Sequence, residues 1–139
     1  MANIVYNAGL DELRDFTTDT ISALLVTSSY TPNKDHDFVS TPAANELSGV
    51  GYSRPTLASK SRTVDDANDR ITYDCVDPSF GTIAIGETAR YMIVYKFVTN
   101  DADSILLACF DLGASGVATN GADFTVLVSS SGLLYHTQG

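Results

Sequence analysis

Ala89-Arg90-Tyr91-Met92-Ile93-Val94-Tyr95-Lys96-Phe97-Val98 is the stretch that decides the fold. Read with a period of two, Ala89, Tyr91, Ile93, Tyr95 and Phe97 make one continuous apolar face. Arg90, Met92, Val94 and Lys96 make the other, apolar in the middle and charged at its ends. A strand of this kind belongs inside a sheet that is covered on both sides. Polar Thr99 to Asp103 reads as a hairpin loop, and Ser104 to Asp111 (SILLACFD) returns as its partner.

Towards the C-terminus, Asn120-Gly121 is a short-range hairpin signal. Ala122 to Ser129 follows as a strand, and Ser130 to Gly132 turns into Leu133 to Tyr135. In the other direction, Arg70 to Asp77 alternates. Ile71, Tyr73 and Cys75 point one way and Arg70, Thr72 and Asp74 the other, the pattern of a half-buried antiparallel strand. Pro78 ends it or marks a bulge. Asp65 to Asp69 is a turn, Arg62 to Asp65 and Tyr52 to Ala58 are short strand candidates, and Ile21 to Thr27 (ISALLVT) is an interior strand. Two short helices are predicted in the N-terminal third. Asn7 to Phe16 places Leu10, Leu13 and Phe16 on one face with Asn7 as its cap, and Pro42 to Leu47 starts on Thr41 and stops at Ser48-Gly49. Roughly eight short strands separated by turn signals, with no long amphipathic helix between them, predict an all-β fold. The expected architecture is an antiparallel β-sandwich, jelly-roll-like, with Met1 to Tyr6 as an extended arm.

The 139 residues suit one domain, 1–139, with the arm at about 1–7. A hydrophobic content of 44% against 18% charged residues is that of a globular chain. The net charge of −9 argues against nucleic acid and against an anionic membrane as partners. No apolar run reaches the ~18 residues of a spanning helix. The first residues lack the basic and apolar regions of a signal peptide, so folding in a cytoplasm is expected.

A search for chemistry gives little. Asp65, Asp66, Asp69, Asp74 and Asp77 offer oxygen ligands, but their spacing is not that of a calcium loop and suits a solvated turn and strand face. His36 and His136 are isolated, and Cys75 and Cys109 read as buried reduced thiols. There is no nucleophile elbow and no phosphate-binding loop. No catalytic residue, cofactor or metal is expected, and the chain does not read as an enzyme. Charge is uneven along it. Arg54, Lys60 and Arg62 lie in an acid-free stretch, whereas residues 97–139 carry Asp101, Asp103, Asp111 and Asp123 without Lys or Arg. Such asymmetry orients a subunit on a partner, or reflects chance over exposed turns.

Three segments resemble small virion proteins of tailed bacteriophages. They are Ile4-Val5-Tyr6-Asn7 with Thr18-Asp19-Thr20-Ile21 and Leu24 to Pro32; Glu46-Leu47-Ser48-Gly49-Val50-Gly51-Tyr52; and Thr88-Ala89-Arg90-Tyr91 with Val94-Tyr95-Lys96, Phe110-Asp111-Leu112-Gly113 and Asp123-Phe124-Thr125. Where such proteins often carry Trp after Asp77, this chain has Pro78-Ser79-Phe80. The resemblance implies a capsid decoration (cement) protein that stabilises the assembled shell of the major capsid protein by bridging capsomers. It implies a homo-oligomer, dimer or trimer, on the virion surface after synthesis in the host cytoplasm. A tail structural or adaptor protein is the alternative, and a carbohydrate- or receptor-binding β-sandwich a third. The contact residues expected are the arm Ala2, Asn3, Ile4, Val5 and Tyr6, with Tyr30 and Phe38 from the loop Tyr30 to Val39. Strand addition at an edge is the expected mode.

Overall fold

The computed structural model describes residues 3–137. In chain order it contains β1 (Ile4–Val5), α1 (Asn7–Glu12) prolonged by a 3-10 turn at Leu13–Asp15, β2 (Ile21–Val26), the one-turn helix α2 (Ser40–Ala43), β3 (Ser61–Asp65), β4 (Arg70–Asp74) and β5 (Ser79–Thr82). There follow β6 (Thr88–Ala89), β7 (Tyr91–Lys96), β8 (Ile105–Asp111), β9 (Val117–Ala118), β10 (Asp123–Thr125) and β11 (Leu134–Thr137). The fold is all-β and antiparallel, as the sequence predicts. Among the described residues no helix is long and apolar enough to cross a membrane.

The large sheet has the order β1-β8-β7-β2. Its inner strands are apolar on both faces, so each face must be covered, and each is. Ala23, Leu25, Met92 and Val94 point into one core, closed by Tyr73, Phe80 and Phe124 from the smaller sheets and by Leu13 and Phe16. Leu24, Val26, Tyr91, Ile93 and Tyr95 point into a second core, closed by Tyr6, Tyr30 and Val39. The register of β7 on β8 shifts between Val94 and Tyr95, which face Ala108 and Leu106. The extra residue, Leu107, joins the first core. The smaller sheets are β11-β4-β3, β10-β5 and β6-β9. Their orders make the molecule sandwich-like without spelling out a jelly roll.

The periodicity succeeds where a strand is apolar on both faces and fails where the chain is irregular. Tyr52 to Ala58 is not a strand. It runs beside β2, bridged to it at Ser22–Thr56 and bonded through the Tyr52 hydroxyl, which accepts the Leu25 amide at 3.1 Å. The second helix lies at Ser40–Ala43, with Thr41 inside it, not at Pro42 to Leu47. Ser79–Thr82 is a strand that Pro78 does not forbid, because the proline precedes it. Asn120-Gly121 does not close a hairpin. The strand before it pairs with β6 and the strand after it with β5, while the Gly121 amide donates to the Ile83 carbonyl. Of the strand expected over Ala122 to Ser129, only Asp123–Thr125 is in a ladder.

The arm expected at about 1–7 is, over residues 3–7, part of the body. Ile4 pairs with Cys109 and Val5 with Ala108, and Asn7 opens α1. From there α1 continues along the same flank of β8. A Cβ on Gly9 would lie 2.6 Å from the Leu107 Cα, so only glycine lets the helix approach the strand backbone this closely.

Candidate interaction surface

An antiparallel sheet ends in two rows of unpaired main-chain groups unless something covers them. On the β2 side the cover is the irregular stretch 45–57. The amides of Ala23 and Thr27 donate to the carbonyls of Pro55 and Asn45, at 3.1 and 3.0 Å. Those of Leu47 and Leu57 donate back to Leu25 and Ile21, at 3.0 and 2.7 Å. This edge is closed. Gly51, at a φ of 91°, turns the covering chain against β5, where a Cβ would meet the Thr82 carbonyl oxygen at 1.9 Å.

The opposite edge is different. β1 covers β8, with the Tyr6 amide donating to the Leu107 carbonyl at 3.0 Å. Main-chain groups alternate in direction along a strand, so those of Val5 point away from β8. Beyond them lies a groove of about 230 Å³, walled by β1 and by residues 129–135. Val5, Phe110, Leu133 and Leu134 give it an apolar floor, Asn3, Ser129 and Ser131 a polar rim, and no Asp, Glu, Lys or Arg lines it. The Asn3 side-chain oxygen accepts the Asp111 amide at 2.7 Å, which pins the start of β1.

The residues predicted as contacts therefore separate. Asn3, Ile4 and Val5 line the groove. Ala2 lies outside the described residues. Tyr6 and Tyr30 are core residues instead, 0% and 3% exposed. Their burial follows from a polar pairing that sequence reasoning missed, since the two hydroxyls are 2.8 Å apart and that of Tyr30 is 2.9 Å from His36 Nδ1. Burial raises both phenols, Tyr30 to about 12 and Tyr6 well beyond the ordinary tyrosine range. Phe38 is 43% exposed and bridges Ile105 at the far end of β8 from Ile4 and Val5.

The charge asymmetry is largely consumed inside the molecule. The Arg54 guanidinium donates to both oxygens of Glu46 and of Asp101, at 2.7 Å for the closest contact with each, and lies over the Tyr95 ring. Lys60 donates to the Asp19 carbonyl. Arg90 pairs with Asp111 at 2.5 Å. Arg62 remains, on the exposed strand β3.

Several of the clustered aspartates have structural work. Asp65 pairs with Asn68 and Arg70, Asp74 accepts the Cys75 amide, and Asp77 accepts the Val128 amide at 2.7 Å. The bonds from Asn68, more than Arg70, hold the Asp65 carboxyl below its ordinary value. Among the described residues, no three of His, Cys, Asp and Glu are arranged to hold a metal ion. Cys75 and Cys109 are free and buried, one in each core. Burial pushes their thiols up to about 11 and about 12, so both are protonated and unreactive at neutral pH. Comparison with known proteins returns no family model, curated protein or solved structure that matches this chain.

Proposed function

We propose that this chain is a structural protein of a bacteriophage virion, a capsid decoration protein. In this reading it binds the assembled shell of the major capsid protein and bridges neighbouring capsomers. The observation that carries the proposal is the groove beside β1. It offers one outward-facing strand edge over an apolar floor with no ionic side chain, which suits an extended segment of a neighbouring subunit. Main-chain hydrogen bonds to Val5 supply affinity there, and small apolar side chains seated on Phe110 and Leu133 supply register. A net charge of −9 keeps the exterior from adhering to packaged nucleic acid. Stabilisation is mass action. A protein that binds the closed shell and not its free subunits lowers the free energy of the shell. Repetition over a symmetric surface multiplies weak contacts.

Immunogold labelling of purified virions tests the assignment. Dense label over heads is the expected result. Label confined to tails transfers the chain to a tail adaptor, and absence from virions overturns the reading. The groove is tested separately with Val5→Pro. This removes an outward N–H and leaves the Tyr6–Leu107 bond intact. Its occupancy on shells is expected to fall at least tenfold, with an unchanged circular dichroism spectrum.

A further inference from the structure

We infer that the chain self-associates through β3, two copies pairing antiparallel about Val64 to join their three-stranded sheets into one of six strands. The Tyr73 carbonyl accepts the Leu133 amide at 2.9 Å, so the main chain of Tyr73 faces β11. Arg62 lies opposite Tyr73, and Val64 is two residues on. The alternation of antiparallel ladders therefore turns the N–H and C=O groups of Arg62 and Val64 outward, away from β4. Four of the five residues of β3 are exposed, and Val64 is 62% exposed.

An open edge is ordinarily defended by charge. Here the defence is self-complementary. Arg62 and Asp66 lie either side of Val64, and neither has an ionic partner among the described residues. Two-fold antiparallel pairing centred on Val64 sets it beside Val64 of the second copy. It also brings each Arg62 up to the start of the other copy's 66–69 turn, which carries Asp66 just beyond the end of β3. Two ion pairs then flank an apolar centre, and the pairing hydrogen bonds come from main-chain groups that water otherwise holds. Pairing of β3 in any other antiparallel two-fold register loses this match. The β1 groove offers no charged group for a self-complementary match, which is why β3 is the edge suited to a second copy. The association does not depend on whether the chain decorates a capsid.

Sedimentation equilibrium of the purified chain is expected to show a dimer of the 14.8 kDa protomer. Arg62→Asp is expected to weaken it at least tenfold. The exchange R62D with D66R in one chain is expected to restore it, because the two-fold match is regained with signs reversed. Directly opposed, hydrogen-bonded residues have Cα atoms about 5.5 Å apart. That lies within the roughly 4.4–6.8 Å that a disulfide spans. Val64→Cys is therefore expected to form a covalent dimer under mild oxidation, and Leu127→Cys, exposed elsewhere, is not. Because Cys75 and Cys109 are buried, they do not compete. A wild type that sediments as a monomer up to millimolar concentration overturns the inference. So does equal cross-linking of the two cysteine variants, or a failure of the charge exchange to rescue.

Discussion

Arg54 shows how far a side chain's role can lie from its place in the sequence. In an acid-free stretch with Lys60 and Arg62, it has no nearby carboxylate to pair with. Its partners Glu46 and Asp101 stand 8 and 47 residues away, and they meet it only because the stretch that covers β2 comes to lie beside the loop after β7. Nothing in local spacing encodes that meeting. The two partners differ in worth. Glu46 is 18% exposed and also accepts the Tyr52 hydroxyl at 2.6 Å, whereas Asp101 is 41% exposed. Solvent screens the second pair more than the first. Glu46→Gln is expected to cost about 2 kcal/mol and Asp101→Asn less than about 1 kcal/mol, as read from urea denaturation midpoints. The bonds from Arg54 hold the Asp101 carboxyl below its ordinary value. A depressed carboxyl contributes stability that is complete above the ordinary value, about pH 3.9, and is lost as the pH falls through the depressed one. Acidification below about pH 4 should therefore cost the wild type more than Asp101→Asn. Equal acid sensitivity would show that the pair is unimportant. The cysteines, by contrast, were legible at this scale, because each sits in an apolar strand segment, Cys75 in an alternating one and Cys109 in a continuous one.

At the scale of elements, β2, β7 and β8 were readable because burial on both faces leaves an unbroken apolar run. The short strands were not, since two or three paired residues carry no periodicity. β1 is the instructive case. Its sequence, Ile4-Val5-Tyr6, suits a free arm and a docked edge strand equally, and the choice is made by Tyr6. That residue has no exposed surface and finds a hydroxyl partner in Tyr30. Removing residues 1–6 would delete a core side chain, not a tether. The truncation is expected to lose about 3–5 kcal/mol, the range for emptying a large aromatic site, and a large part of its cooperative urea transition. Tyr6→Phe, which keeps the volume and loses one buried hydrogen bond, should cost about 1 kcal/mol. A truncated chain as stable as the full one would mean that the Tyr6 site collapses without loss. The apolar groove could not have been found from β1 alone, because its other wall is built by residues 129–135, more than a hundred positions away.

For the whole molecule, the all-β class followed from strand periodicity and turn spacing. The arrangement of sheets did not, because which strands meet is a long-range matter. In the large sheet, order β1-β8-β7-β2, only β7 and β8 are neighbours along the chain as well as in space. β2 pairs with a strand 70 residues later, Val94 facing Ala23 only 71 positions on, and β1 waits longer still, Ile4 meeting Cys109. Within that sheet the β7–β8 hairpin is thus the seed that closes a short loop, and both early strands must be recruited to its flanks afterwards. Loop closure of that length slows the search, so refolding from urea is expected on the millisecond-to-second scale typical of non-local β topologies, as stopped-flow fluorescence of the tyrosines would measure. A microsecond phase carrying the full amplitude would contradict this. The same order governs synthesis. Until Asp111 has been made, the apolar strand Ile21–Val26 has no finished sheet to join, so the nascent chain carries its stickiest segment unpartnered through most of its translation. Speed of elongation and chaperone supply, rather than the stability of the finished fold, are then what set the yield of soluble protein.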